Sequence, residues 1–167
     1  WITLASSYLL CLVAGMNAKT VYSNGYYTKK YNKFFSFMSV AILVLVAGLR
    51  SGIGDTPTYI QGYKTDAPST IAGSIKLLFS GKKDAGFYFY QGILKSIVNN
   101  PNVFIFVTSL ITIVLIFITY YKYSQLLELS VFLFITTGCY LVTMNGIRQY
   151  LASAILFFCF PLIHERK

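Results

Sequence analysis

Two arginines stand where an apolar chain has least reason to keep them. Arg50 ends the apolar run 34–49 and opens Ser51-Gly52-Ile53-Gly54-Asp55-Thr56-Pro57-Thr58-Tyr59. Arg148 interrupts a second apolar region within Asn145-Gly146-Ile147-Arg148-Gln149. A guanidinium is permanently charged and binds phosphate oxygens in a bidentate fork, so either arginine suits a lipid-linked pyrophosphate at a membrane surface. Gly52 and Gly54 allow a tight turn and close backbone approach, and Asp55 is placed to take a proton from an attacking hydroxyl. The plainer alternative is that both arginines snorkel to lipid headgroups, Asp55 caps the following helix, and Tyr59 and Tyr63 are interfacial aromatics.

Composition sets the class that must position these groups. Hydrophobic residues make up 56% of the chain and charged residues 11%, with a mean hydropathy of +0.62. Soluble domains carry about 25% charged residues, so a membrane protein is expected. The net charge of +9 comes from lysines lying mostly in loops between apolar runs. That pattern orients helices and contacts anionic lipid; it does not build a nucleic-acid groove. Cys11, Cys139 and Cys159 all fall in apolar runs and read as small buried hydrophobes. His164 stands alone, so no metal-ligand cluster is expected. The chain opens on Trp1 without a basic leader and ends directly after an apolar run. It reads as part of a longer membrane protein.

The expected architecture is an all-α polytopic membrane domain of about five transmembrane helices. Residues 2–16 form the first span, and the loop 17–33, with four lysines and no acid, is cytoplasmic by the positive-inside rule. Residues 34–49 cross outward. The outer segment 50–102 carries two short interfacial amphipathic helices. One is marked by Ile71, Ile75, Leu78 and Phe79, the other by Phe87, Tyr90, Ile93, Leu94 and Ile97. Five lysines in this segment run against the charge rule, which long translocated segments obey weakly. Residues 103–121 return inward to a cytoplasmic loop, 122–128. Residues 129–144 go out, 145–149 turn, and 150–163 come back, leaving Arg166 and Lys167 in the cytoplasm. Arg50, Asp55, Arg148 and Gln149 then all lie near the outer face.

The motifs Gly48-Leu49-Arg50-Ser51-Gly52-Ile53-Gly54-Asp55, Asp84-Ala85-Gly86-Phe87 and Asn145-Gly146-Ile147-Arg148-Gln149-Tyr150-Leu151-Ala152 together resemble the EpsG family. These are multi-span bacterial proteins of exopolysaccharide synthesis, similar to Wzy-type O-antigen and capsule polymerases. The resemblance covers most of this chain and about the first half of a typical member. The family's Gly-Thr-Asp is here Gly54-Asp55-Thr56, and its acidic residue before Gly-Phe is here Asp84, followed by Ala85.

The resemblance implies a glycosyltransferase (a polymerase) in the bacterial cytoplasmic membrane. It would join undecaprenyl-pyrophosphate-linked oligosaccharide units at the outer face, with other polysaccharide synthesis or export proteins as partners. Asp55 and Arg148 are the expected catalytic residues, with Arg50, Gln149, Asn145, Asp84 and Tyr59 binding substrate. No cofactor is implied: arginines would stabilise the departing pyrophosphate, and no Asp-x-Asp metal motif occurs. Two alternatives keep the same charges: a flippase for the lipid-linked oligosaccharide, and a non-catalytic subunit of a synthesis complex.

Overall fold

The computed structural model describes residues 2–23, 26–81 and 83–164. Lys82, Arg166 and Lys167, which entered the charge argument, lie outside the described residues. Among those residues nine helices and one hairpin form. The apolar runs give α1 (Ile2–Met16), α2 (Lys33–Gly48) and α6 (Pro101–Tyr123). Their starts follow local chemistry: Asn32 Oδ1 accepts the Phe34 N–H, and Asn100 Oδ1 accepts the Asn102 N–H ahead of a first-turn Pro101. Helix α6 is long and apolar enough to cross a membrane by itself, whereas α1, α2 and the last helix are shorter apolar helices.

The lysine-rich loop is not a plain loop. Lys19–Ser23 (β1) and Tyr26–Lys30 (β2) pair antiparallel, with Lys19 opposite Lys30. Threonines and tyrosines flanking Asn24-Gly25 favour strands over helix or coil. This hairpin departs from an all-α fold. Segment 50–102 holds three helices where two were expected: α3 (Thr56–Thr65), α4 (Ile71–Leu78) and α5 (Ala85–Ile97). The run 129–144 also divides, into α7 (Leu127–Thr136) and α8 (Cys139–Asn145), bent by 56°. Gly138 makes the break, at φ 79°, where a residue with a Cβ is strained. Together α7 and α8 pass as one broken span. The final helix α9 begins at Ile147 and runs to His164, so Arg148 and Gln149 lie in its first turn and not in a preceding loop.

Two cores hold these elements. The larger one gathers apolar side chains of α1, α2, α6, α7, α8 and α9. Where α1 meets α2, Ser7 Oγ donates to Ser39 O and Ser39 Oγ to Ser7 O, both at 2.9 Å. Small hydroxyl residues at such a seam let two apolar helices approach closely and add hydrogen bonds. At the hairpin end, Lys29 bridges Glu128 at 2.9 Å, and Tyr31 Oη accepts the Leu127 N–H. Burial opposes ionisation of Glu128, yet Lys29 outweighs it and holds the carboxyl below its usual range.

The smaller core seats segment 50–102 on the starts of α6 and α9, through Tyr63, Ala67, Phe104, Ile105 and Ile147. Tyr63 stacks on Phe104 at 4.7 Å and donates its hydroxyl to Val98 O at 2.9 Å. Helix α5 therefore packs inward through Phe87, Tyr90 and Leu94. Helix α4 instead leaves Ile71, Ile75 and Leu78 exposed, as an interfacial helix does. Tyr63 is the keystone of this core, being 1% exposed. Replacing it by alanine is expected to cost about 3–5 kcal/mol, and by phenylalanine about 1 kcal/mol, the single lost hydrogen bond. Thermal melting of the detergent-solubilised variants, with Tyr63→Ala falling furthest, checks this.

Candidate functional site

The site grows from the junction of α8 and α9. Gly146 ends α8, and its non-helical backbone (φ −89°, ψ 56°) lets a new helix begin at once. Arg148 thus projects from the first turn of an 18-residue helix, whose unpaired N–H groups and dipole favour an anion. Across from it, Asp84 precedes α5 with φ 64°, the one non-glycine residue with positive φ among the described residues. Such backbone is costly and persists where the surroundings hold it. Here an ion pair does so: Arg148 Nη1 donates to Asp84 Oδ2 at 2.5 Å, with both side chains partly exposed.

This pair stands between two cavities. One, of about 500 Å³, is walled by Phe87, Tyr90, Ile111, Leu151, Ala152 and Ile155 and carries Asp84 and Arg148 at its edge. The other, of about 370 Å³, is lined by Asp55, Tyr59, Asp66, Tyr88 and Gln91, again with Arg148 and Phe87. The first is apolar and the second polar; the arginine borders both. Tyr90 donates to or accepts from Thr108 Oγ1 at 2.9 Å, and burial raises its phenol pKa despite that bond.

Asp55 reaches the polar cavity because its backbone is tied from α8. Its N–H donates to Asn145 Oδ1 at 3.0 Å. Gly54, at φ 55°, lies so close beneath that amide that a Cβ there would collide with Asn145 Oδ1. The Asp55 carboxylate makes no helix-capping bond with α3 and is exposed. Tyr59 presents an edge-on ring to Phe87 at 6.0 Å. Gln149 is exposed on the first turn of α9 and lines neither cavity.

Arg50 behaves differently. It is 8% exposed and folds back on the helix before it. Its Nε donates to Thr56 Oγ1 at 2.9 Å, Nη1 to Ala47 O and to Ser109 Oγ, and Nη2 to Met144 O at 3.3 Å. Burial lowers its pKa to about 10, with the Tyr140 interaction opposing, so it stays a cation at neutral pH. The cavity beside it, next to Ser51 and Phe106, shares no lining residue with the two at Arg148. The structure therefore brings together Arg148, Asp84, Asp55 and Tyr59, with Asn145 behind them, and sets Arg50 apart as an internal tie.

Gln91 and Asp66 were not singled out by sequence. Gln91 carried a signal all the same: with Phe87, Tyr90 and Leu94 at helical spacing, it is a polar residue on the core-facing side of α5. A model of the EpsG family matches residues 33–167. No curated protein and no solved structure matches the chain.

The two arginines are expected to part experimentally. Arg50→Ala strands the buried hydroxyls and carbonyls that face it, at about 1–3 kcal/mol per unmet group, and should cut the amount of folded protein in the membrane. Arg148→Ala removes a half-exposed charge and should leave it near normal. Quantitative immunoblotting of membrane fractions, with melting of the purified variants, reads both.

Proposed function

The chain belongs to the EpsG family of exopolysaccharide-related membrane proteins, and from that premise we propose that it joins lipid-linked oligosaccharide units at the outer face of the cytoplasmic membrane. The donor is an oligosaccharide on undecaprenyl pyrophosphate and the acceptor a second lipid-linked unit. Residues 1–167 act as one membrane domain with about five spans, α7 and α8 counting as one. Support for this topology comes from how the ends are tied. The lysine-bearing hairpin bonds to residues 125–128 through Lys29 and Tyr31. Segment 50–102 bonds to the α8–α9 junction through Arg50, Asp55 and the Arg148–Asp84 pair. On this reading the first set of ties lies at the cytoplasmic end and the second at the outer end.

The observation that carries the reading is Arg148 at the border of an apolar and a polar cavity. A lipid pyrophosphate sugar has those three parts in that order. The first isoprene units lie against Ile111, Leu151 and Ile155, the pyrophosphate meets Arg148 and the N-terminus of α9, and the sugar enters beside Asp55. In the transfer, the acceptor oxygen bonds to the anomeric carbon as that carbon's bond to the phosphate oxygen breaks. Asp55 takes the acceptor's proton, and the growing charge on the pyrophosphate falls to Arg148. Asp84 holds Arg148 in place, Asn145 holds Asp55, and Tyr59 walls the sugar side. Gln149, on the same helix turn, is assigned to phosphate oxygens at the rim. Arg50 acts at one remove, by fixing the turn that carries Asp55. Gathering of Asp55, Asp66, Asp84 and Arg148 at one end favours chemistry at a surface over a charged path through the bundle.

In the full-length protein, Arg148→Ala is expected to lower polymer about 100-fold or more at normal protein abundance, as loss of a transition-state charge contact does. Asp55→Asn should do the same. Gel analysis of extracted polysaccharide decides it; polymer of normal length in Arg148→Ala sinks the assignment.

A further inference from the structure

The polar cavity contains a group that the transfer chemistry leaves unused. Gln91 lines it, is 3% exposed, and its Oε1 is buried without a hydrogen-bond partner. Buried amide oxygens nearly always find a donor, so one left open beside a cavity marks a place where a ligand supplies it. The surroundings say which ligand. Asp55 and Asp66 bring two carboxylates, while the cavity's arginine is already paired with Asp84. Asp66 Oδ1 accepts from Thr65 Oγ1 at 2.8 Å, and no cation bridges either Asp55 or Asp66 among the described residues. The cavity is therefore rich in acceptors and carries excess negative charge. Tyr59 adds an aromatic wall.

We propose that this cavity is a subsite for a neutral sugar ring, with Gln91 and Asp66 as its specificity-determining residues. The inference rests on the glycosyl-transfer reading for the choice of a saccharide, and it adds the class of saccharide and the residues that select it. With its amide turned toward the cavity, Gln91 Oε1 accepts from one ring hydroxyl and the free side of Asp66 from a second, while the C–H face of the ring lies against Tyr59. A uronic acid is disfavoured on charge: its carboxylate would enter beside Asp55 and Asp66, while the one cation lining the cavity among the described residues, Arg148, is held by Asp84 and, in the transfer, by the pyrophosphate. A site built to hydrogen-bond a hydroxyl discriminates strongly, because its buried acceptor is otherwise left unpaired.

The test is saturation-transfer NMR on the full-length protein in lipid nanodiscs. The probes are glucose, galactose, rhamnose and N-acetylglucosamine against glucuronate and galacturonate. At least one neutral sugar is expected to bind, and both uronates at least about tenfold more weakly. Gln91→Leu should weaken the neutral sugar about tenfold while melting no lower than the parent, since leucine removes an unpaired buried amide. Asp66→Asn should narrow the gap between uronate and neutral sugar, and it stands as the independent variant if Gln91→Leu does not fold. Binding of free sugars is read without any transfer, which separates the fate of this subsite from the fate of the polymerase reading. Binding of uronates as tight as that of every neutral sugar, no neutral sugar bound, or a folded Gln91→Leu that binds unchanged each overturns the proposal.

Discussion

A guanidinium buried without a carboxylate is the constraint on which the arrangement at this end of the molecule depends. Removing a charge from water is costly unless its hydrogen bonds are replaced. Arg50 meets that demand with neutral acceptors. Ala47 O and Met144 O come from the last turns of α2 and α8, where helix carbonyls lack partners and the dipole is negative. Thr56 and Ser109 supply hydroxyls from α3 and α6. Two helices must therefore end, a third begin and a fourth pass within reach of one side chain. Thr56 Oγ1 accepts from Arg50 and donates in turn to Ile53 O at 2.6 Å, so the tie extends into the glycine-rich turn. Asn145 grips the same turn from α8 through the Asp55 N–H. Asp55 and Arg148 face a common cavity because both are anchored to the end of α8.

How much of this was legible in the sequence depended on the kind of signal. Uninterrupted apolar runs gave α1, α2 and α6 to within a few residues, because burial in a membrane demands little beyond length and apolarity. The spacing of Ile71, Ile75 and Leu78 gave α4, and that of Phe87, Tyr90 and Leu94 gave α5. Helix α3 was not read, since Pro57, Gly62 and its threonines weaken its period and its stability comes from Tyr63 stacking on Phe104, a contact 41 positions away. The hairpin was passed over as a lysine loop although Asn24-Gly25 between β-prone residues is a strong turn signal. The bend at Gly138 was hidden inside a continuous apolar stretch.

For the site, motif residues were legible and their surroundings were not. Arg148, Asp55 and Asp84 stood out because charges are rare in such a chain, and the structure places all three around the same two cavities. Arg50 stood out for the same reason but turns inward, onto a carbonyl of the helix before it and one of α8. Sequence shows that a long cationic side chain follows a helix; it does not show whether that chain reaches outward or folds back to cap the helix. Asp66 escaped because nothing local distinguishes it, Gln91 because its one signal, a polar residue on the apolar face of α5, does not say what it faces; the meaning of both comes from the cavity that α3 and α5 line.

The contrast between the arginines follows from what each is bonded to. Arg50 is enclosed by groups that cannot leave, so its bonds are fixed for the life of the fold. Arg148 is held by a partly exposed carboxylate, and solvent-screened pairs of this kind are weak and exchangeable. Asp84 sits on strained backbone just after Gly81, another positive-φ position, in a turn joining α4 to α5. A pyrophosphate arriving at the N-terminus of α9, as proposed, would compete with one carboxylate for the arginine and bring more oxygens and more charge. In the proposed transfer the ion pair would thus keep Arg148 oriented between turnovers without holding it against the substrate. The same exchange would free Asp84 and relax its turn, which would couple occupancy of the proposed pyrophosphate position to α5, the helix that carries Gln91 into the polar cavity.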